Sequence, residues 1–204
     1  EDQGVVIDRK QTPRKQRDAK WEQEAKDNLP DSNIKSKFLF EDKIKSGKWA
    51  MLTGENPNAK PATEEENKKF NEDAVKWLKK LDKNPIPIFG KYGGAENSFF
   101  VENLRSDDAA AFAREFKQES VATNEGLILP NGDRYPRLKG EEEFNSEEDD
   151  YYSVINIKGE KIPFKVGYDV ENLETALPEK IKEKLTDDGK GNYVFYHYSS
   201  EKRD

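Results

Sequence analysis

The sequence predicts an α+β fold of the ferredoxin-like type, a split βαβ sandwich with a β-rich C-terminal extension and a polar N-terminal arm. Between residues 48 and 130, short apolar runs and two amphipathic helical patterns follow one another in the order β-α-β-β-α-β, and one further strand follows. Of the side chains, 38% are charged and 33% are hydrophobic, while 11% are aromatic. Because disordered chains are poor in aromatic residues, this composition favours a compact core that carries long polar segments.

Residues 1–35 are predicted to form a flexible or helical N-terminal arm. Pro13 and Pro30 interrupt it, and the helix-compatible stretch between them has a single large apolar residue, Trp21. A helix that is polar nearly all round is rarely stable alone, so we expect Trp21 to dock on the core of this protein or on a partner.

The arm also contains a cluster of basic side chains, made up of Arg9, Lys10, Arg14, Lys15, Arg17 and Lys20. This cluster is a candidate contact for nucleic acid through residues 9–20, or for an acidic partner surface, and a solvated arm is the simpler interpretation. Arg14, Arg17 and Trp21 are therefore candidate partner-binding residues. The chain as a whole is acidic, with a formal net charge of −7.

A core α+β domain is predicted over residues 36–130, and its first buried strand is the apolar run at 48–53. Thr63 and Glu66 have the spacing of a capping box, which predicts that a helix begins there. An apolar face at helical spacing extends this helix to about residue 82, with Phe70, Ala74, Trp77, Leu78 and Leu81.

The rest of the core domain is predicted to contain two strands, a second helix and a hairpin. The strands Ile86–Phe89 and Ser98–Val101 flank a glycine-rich turn, and Asn124–Gly126 forms the turn of the hairpin. Ser106 is predicted to cap the second helix. The apolar face of that helix is formed by Ala109, Phe112, Ala113 and Phe116.

Residues 131–150 are predicted to be an extended linker, because seven of the ten residues from Glu141 to Asp150 are acidic and repel one another. Residues 151–204 are predicted to be a small β-rich unit with a hairpin around Lys158–Glu160 and a short helix from Pro178. An aromatic-rich strand at 192–198 ends almost where the chain ends, which suggests that the chain is a piece of a larger polypeptide.

Composition excludes several classes of chemistry. The chain has no cysteine, so disulfides, thiolate nucleophiles and thiolate metal sites are impossible. Its single histidine, His197, lies between Tyr196 and Tyr198, which indicates strand packing rather than catalysis. No apolar run approaches the roughly 20 residues of a membrane-spanning helix. No cofactor and no metal site is expected.

Several polar side chains lie at the ends of predicted strands, where binding sites are commonly built. Asn56 follows the first strand, Glu96 and Ser98 open the third, and Gln118 and Ser120 precede the fourth. In a ferredoxin-like sheet we expect the fourth strand beside the first, which places Gln118 near Asn56. We expect the third strand to run parallel to the first, which places Glu96 and Ser98 at the opposite edge. The structural alternative is that these side chains cap turns and helix ends.

Three short strings carry a family likeness: Thr53–Pro57, Glu96–Phe99 and Phe116–Val121. Over about residues 49–130 the chain resembles an uncharacterised family of small bacterial and phage domains, whose pattern reads T-[AG]-x-N-P, then E-x-S-F, then F-x-Q-x-S-V. Gly54 stands where alanine is usual. The resemblance implies no established activity. It implies only that the motif positions are matched by Asn56, Asn67, Glu96, Ser98 and Gln118, which with Ser120 form the candidate ligand-binding set.

The C-terminal part is similar to segments of long multidomain phage proteins, in the strings 150–155 and 194–199. We therefore expect a non-catalytic, phage-associated interaction module, packaged in a virion or bound to a host protein in the host cytoplasm. One alternative is an enzyme or sensor that binds a nucleotide-like molecule through Glu96 with Asn56, Ser98 and Gln118. Another is nucleic-acid binding by the N-terminal arm.

Overall fold

A computed structural model of the protein describes residues 17–60, 62–92, 94–147, 151–176, 186–187 and 193–194. The chain divides into two units, Glu1–Glu174 and Thr175–Asp204. In the described part of the first unit, four α-helices are found: α1 (Ala19–Asp27), α2 (Lys37–Ser46), α3 (Glu64–Lys80) and α4 (Ser106–Glu115).

The capping box predicted for α3 is confirmed. The Oγ1 of Thr63 accepts a hydrogen bond from the backbone N–H of Glu66 at 3.1 Å, and the Oε2 of Glu66 accepts one from the backbone N–H of Thr63 at 2.8 Å. Each bond satisfies a backbone donor that the first helical turn leaves unpaired. In α4 the capping position is occupied by Arg105, one residue before the predicted Ser106.

Eight strands of the first unit form a closed antiparallel barrel. The order around the barrel is β1-β3-β2-β7-β8-β6-β5-β4, and β4 pairs with β1 to close it. The strands are β1 (Trp49–Leu52), β2 (Ile86–Tyr92), β3 (Ala95–Glu102), β4 (Val121–Thr123), β5 (Gly126–Ile128), β6 (Arg134–Phe144), β7 (Tyr151–Ile157) and β8 (Glu160–Tyr168).

The predicted ferredoxin-like sandwich is therefore wrong. The succession β-α-β-β-α-β is present, and its strands lie side by side in the order β4-β1-β3-β2. The sheet does not end there, because β7 pairs with β2 and β5 pairs with β4, so that later strands complete a barrel. The predicted direction of the third strand is also wrong, since β3 runs antiparallel to β1. The segment that includes Glu96 and Ser98 therefore extends past the end of β1 that leads to Thr53.

The two faces of the sheet pack in different surroundings. The interior of a barrel of eight strands is too narrow to hold helices, so the face beneath α3 and α4 is the outer face. The inner core is formed by alternate strand residues such as Met51, Phe100 and Phe164. Phe40 and Ile44 of α2 belong to the same cluster, so α2 covers one end of the barrel. The outer core joins β1, β3 and β4 to α3 and α4.

The structure differs from the predicted domain division within 131–150, because residues 134–144 form β6 and pair with β8. The hairpin predicted around Lys158–Glu160 is confirmed as β7 and β8. In the second unit, β9 (Thr186–Asp187) pairs antiparallel with β10 (Tyr193–Val194). Arg14, His197 and the helix predicted from Pro178 lie outside the described residues.

Candidate functional site

A group of buried amides holds the loop that follows β1. The Oδ1 of Asn67 accepts the backbone N–H of Asn56 at 2.8 Å, and the Oδ1 of Asn71 accepts that of Gly54 at 2.8 Å. The Nε2 of Gln118 donates to the backbone carbonyl of Glu55 at 2.9 Å. The predicted proximity of Gln118 and Asn56 is thus confirmed. These bonds attach the loop to α3 on one side and to the end of α4 on the other.

The same loop adopts a strained backbone. Asn56, Asn58 and Ala59 have φ values of 49°, 58° and 54°, in the left-handed region that side chains with a Cβ rarely occupy. Such conformations persist only where the surroundings hold them, and here the Oδ1 of Asn56 also accepts the backbone N–H of Ala62 at 3.2 Å. The amides therefore fix the path of the backbone and, with it, the position of Glu55.

Glu55 is a carboxylate enclosed at this point of the loop, with 1% of its side chain exposed. Asn97 of β3 donates to it twice, from the backbone N–H to Oε2 at 3.2 Å and from Nδ2 to Oε1 at 3.1 Å. Thr53 accepts the backbone N–H of Glu55 at 3.1 Å and donates to the carbonyl of Asn97 at 2.7 Å. Thr53, which directly follows β1, and Asn97 of β3 together fix the position of Glu55 and the orientation of its carboxylate.

The guanidinium of Arg17 lies between Glu55 and a second carboxylate, Glu64. Its Nη1 and Nη2 donate to the two oxygens of Glu55 at 2.7 and 3.1 Å, and its Nε and Nη2 donate to those of Glu64 at 2.7 and 2.8 Å. Nη1 also donates to the carbonyl of Ala95 at 3.0 Å. We call Glu55, Glu64 and the Ala95 carbonyl the guanidinium site.

Arg17 is 6% exposed, and the ring of Trp21 covers it with 4.0 Å between the guanidinium carbon and the ring centroid. Burial alone lowers the pKa of Arg17, but hydrogen bonds and charge from Glu64 and Glu55 outweigh it, and the pKa lies above its usual range. Glu64 is more open, since 61% of its side chain is exposed. The site is therefore enclosed at Glu55 and open to solvent at Glu64.

The segment that supplies Arg17 lies along the outer wall of the barrel. Asp18 caps α1 by accepting the backbone N–H of Trp21 at 2.9 Å. Trp21, Ala25 and Leu29 then pack against an outer cluster formed by Phe89, Ala95, Tyr152 and Val154. The docking of Trp21 on the core of this protein, one of the two predicted outcomes, is what the structure shows.

Glu96 and Ser98 lie on the opposite face of β3 from Asn97. They pair in register with Gly90 and Ile88, and Ile88 belongs to the inner core, so both side chains face the barrel interior. A Cβ added at Gly90 would lie 3.1 Å from the Oγ of Ser98 and 3.5 Å from the Cγ of Glu96. The glycine thus leaves the space that these two side chains occupy.

Tyr92 ends β2 at the rim of this part of the barrel, where 38% of the residue is exposed, and its hydroxyl lies 2.6 Å from the Oγ of Ser153. Burial raises the pKa of Tyr92 to about 12, the bond to Ser153 opposes this, and the charge of Glu96 adds to it. Burial also raises the pKa of Tyr168, whose hydroxyl donates to the carbonyl of Thr123 at 2.9 Å. Both hydroxyls therefore keep their protons to a higher pH than the hydroxyl of an unfolded tyrosine does.

A separate cavity of about 430 Å³ lies between α2, the β4–β5 turn and β6. Most of the charged side chains that line it form ion pairs within the protein. The Nε of Arg134 lies 2.6 Å from the Oε2 of Glu174, and its Nη1 lies 3.6 Å from the Oε2 of Glu125. Arg137 pairs with Glu142. Burial raises the pKa of that carboxyl, but hydrogen bonds from its own backbone N–H, from Arg137 and from the backbone of Gly140 outweigh it, and the pKa is lowered. The guanidinium carbon of Arg137 also lies 5.4 Å from the centroid of the Trp49 ring.

The candidate residues from the sequence thus fall into separate groups. Asn56, Asn67 and Gln118 join the loop network beside the guanidinium site, whereas Glu96 and Ser98 face the interior. Ser120 is half-buried immediately before β4. Within the described residues, no group of three or more His, Cys, Asp or Glu side chains is placed to hold a metal ion.

Sequence reasoning missed Glu55 and Glu64 as partners of Arg17, and Asn97 as the donor that holds Glu55. Glu55 and Arg17 are 38 positions apart, so no local spacing joins them. The sequence does contain one signal, because Glu55 lies inside Thr53–Pro57, the first of the three strings that carry the family likeness.

Residues 52–121 match a protein family described as "Protein of unknown function (DUF3293)". This confirms the predicted likeness to an uncharacterised small family over that part of the chain. No curated protein and no solved structure matches the chain. The matched range includes Glu55, Glu64 and Ala95, whereas Arg17 and Trp21 precede it. Among the helices that the structure describes, none combines the length and the apolar character needed to cross a membrane.

Proposed function

We propose that the protein is a non-catalytic interaction module that binds a helical polypeptide segment on the outer wall of its barrel. Its own residues 17–29 occupy that wall in this structure. The observation that carries the proposal is the binding of Arg17 by Glu55 and Glu64. The two acidic residues lie within the family match, whereas Arg17 lies before the match begins.

The apolar contacts support the same proposal. α1 has nine residues, and an isolated helix of that length is marginal in water. It gains order by placing Trp21 and Ala25 against the outer cluster, followed by the buried Leu29. This is the way in which amphipathic helices dock in apolar grooves, with anchors about one turn apart.

Charged contacts flank the apolar anchors. The Nζ of Lys91 in β2 lies 3.1 Å from the Oε2 of Glu22, and the Nζ of Lys26 in α1 lies 3.1 Å from the Oε2 of Glu147. Partly exposed ion pairs of this kind contribute little to affinity but fix the register and orientation of a docked segment. The wall therefore selects the direction in which a helix lies on it.

The placement of the amides supports a binding role without catalysis. Asn56, Asn67 and Gln118 direct polar atoms to the backbone of the loop that carries Glu55. The alternative of a nucleotide-like ligand needs Glu96 and Ser98 to share a site with Asn56 and Gln118. We favour the interaction module because Glu96 and Ser98 face the barrel interior instead. Phage association stays a prediction from the sequence resemblance.

Peptide binding by the full-length chain tests the proposal. In a variant with both Arg17→Ala and Trp21→Ala, the attached segment is weakened and a labelled peptide of residues 15–31 should bind saturably in fluorescence anisotropy. The wild-type protein should bind the same peptide much more weakly, because the tethered segment competes at a high effective concentration. A peptide with both substitutions is the matched control. Absence of saturable binding to a variant that folds, judged by circular dichroism, would contradict the proposed function.

A further inference from the structure

We infer that the guanidinium site is a ligand site for an arginine side chain supplied by a partner, and that Arg17 is the tethered occupant which that arginine replaces. As to the partner, the inference rests on the proposed function, since it names the chemistry by which the docked segment is recognised. The chemistry of the site itself can be tested without any partner.

The first argument is the completeness of the recognition. A guanidinium has five N–H donors in a planar fork, and the guanidinium site accepts five hydrogen bonds through two carboxylates and one carbonyl. Both carboxylates are engaged by two donors each, which is the geometry that planar, bidentate recognition requires. An ammonium group has three donors on a single nitrogen and cannot match this arrangement.

The second argument is that the site is built without help from Arg17. Glu55 is aimed by Asn97 and by the loop that the amides of Asn67 and Gln118 hold. Glu64 lies in the first turn of α3, which the capping box fixes. If Arg17 leaves, the carboxylates of Glu55 and Glu64 remain close together without the cation they share, and their mutual repulsion favours the entry of another cation. The site therefore retains an intrinsic affinity for a guanidinium.

The third argument is access. Glu64 is 61% exposed, so a guanidinium can enter from the solvent side without opening the barrel. Arg17 belongs to a segment that contacts the barrel through the nine-residue α1, and its release exposes the outer cluster together with the guanidinium site. A partner can thus replace both contacts with a segment of the same kind.

The docked segment indicates what such a partner contains. Arg17 immediately precedes the helix cap Asp18. Trp21 and Ala25 follow at steps of four residues on one face of α1, and Leu29 follows after the helix ends. We expect an arginine just before the first turn of an amphipathic helix, with an aromatic residue four positions later. The aromatic residue would cover the guanidinium as Trp21 does.

Chemical rescue of full-length Arg17→Ala tests the site. N-ethylguanidinium at millimolar concentration should raise the melting temperature of this variant in a saturable way, and ethylammonium at equal concentration should raise it much less. The wild-type protein should show no rise, because Arg17 occupies the site. Adding Glu55→Gln to Arg17→Ala should abolish the rescue. If Arg17→Ala does not fold unaided, the readout is the yield of refolded protein with each compound. Equal effects of the two compounds, or none, would overturn the inference.

Peptides separate this inference from the proposed function. Against full-length Arg17→Ala, a peptide of residues 15–31 with arginine at position 17 should bind at least about tenfold more tightly than the same peptide with lysine there. Equal binding of the two peptides would overturn arginine recognition and leave the interaction module standing. Rescue by N-ethylguanidinium without binding of any peptide would uphold the guanidinium site and contradict the proposed function.

Discussion

Arg17 and Glu55 form a bidentate ion pair in which both side chains are almost fully enclosed, with N–O distances of 2.7 and 3.1 Å. The pair joins the start of the N-terminal segment to the loop after β1. Because charges withdrawn from water are costly unless they are paired, the two residues depend on each other for their burial.

Glu55→Gln is expected to destabilise the protein far more than Glu64→Gln. Glu55 is enclosed and its loss leaves a buried cation with a weaker partner, which costs about 3 kcal/mol. Glu64 is mostly exposed, and the loss of such a pair costs less than about 1 kcal/mol. Urea unfolding of the two variants measures the difference. Similar costs at the two positions would contradict the view that the site is enclosed at one side only.

Gln118→Ala should lower the free energy of unfolding by about 1–3 kcal/mol, because the buried carbonyl of Glu55 loses its donor. The neighbouring Glu119 is exposed, so Glu119→Ala serves as the matched control and should be close to neutral. Thermal unfolding of both variants checks this. If Gln118→Ala were neutral, Gln118 would not be holding the loop.

Gly90→Ala should destabilise the barrel by about 1–3 kcal/mol, because the new Cβ would lie 3.1 Å from the Oγ of Ser98 and force it to move. Ser98→Ala removes that oxygen, so Gly90→Ala should cost less in the Ser98→Ala background. A double-mutant cycle measured by urea unfolding gives this coupling. Purely additive costs would show that Gly90 matters for another reason.

Stability is expected to fall as the pH rises from about 10 to about 12. An unfolded tyrosine loses its proton near pH 10, whereas burial raises the pKa of Tyr92 to about 12, so the native state binds more protons in this interval. The stabilisation is fully present below pH 10 and is lost as the pH approaches the folded pKa.

Unfolding experiments at pH 9, 10 and 11 should therefore show a shallower decline for Tyr92→Phe than for the wild-type protein. Tyr151 is 61% exposed against 38% for Tyr92, whose hydroxyl is bonded to Ser153, and Tyr151→Phe is therefore the control. An identical decline in wild type and Tyr92→Phe would mean that Tyr92 does not govern the alkaline limit.

Local signals in the sequence were enough to predict α3 and the β7–β8 hairpin. Thr63 and Glu66 are three positions apart, and the turn at Lys158–Glu160 joins neighbouring strands, so the determining contacts are short in sequence. Closure of the barrel depends instead on pairings between distant segments, such as β6 with β8. No periodicity within one segment reveals such a partner.

β6 escaped prediction because its charges resemble those of a solvated linker. Glu141 to Glu143 read as a repelling acidic run, yet Glu142 is paired with Arg137. The register shift between Leu138 and Glu143 further hides the alternation that marks a strand. The guanidinium site could not be predicted from the sequence either, because Arg17 and Glu55 are 38 positions apart and meet only in the folded barrel.

The pairing of β4 with β1 has a consequence for how any other molecule can attach. In the closed ring of eight strands, neither border is left with a row of unsatisfied amide and carbonyl groups. Another molecule therefore cannot bind by adding a ninth strand to the barrel. Recognition has to proceed through side chains, so a few buried contacts such as that of Arg17 largely determine which partner binds.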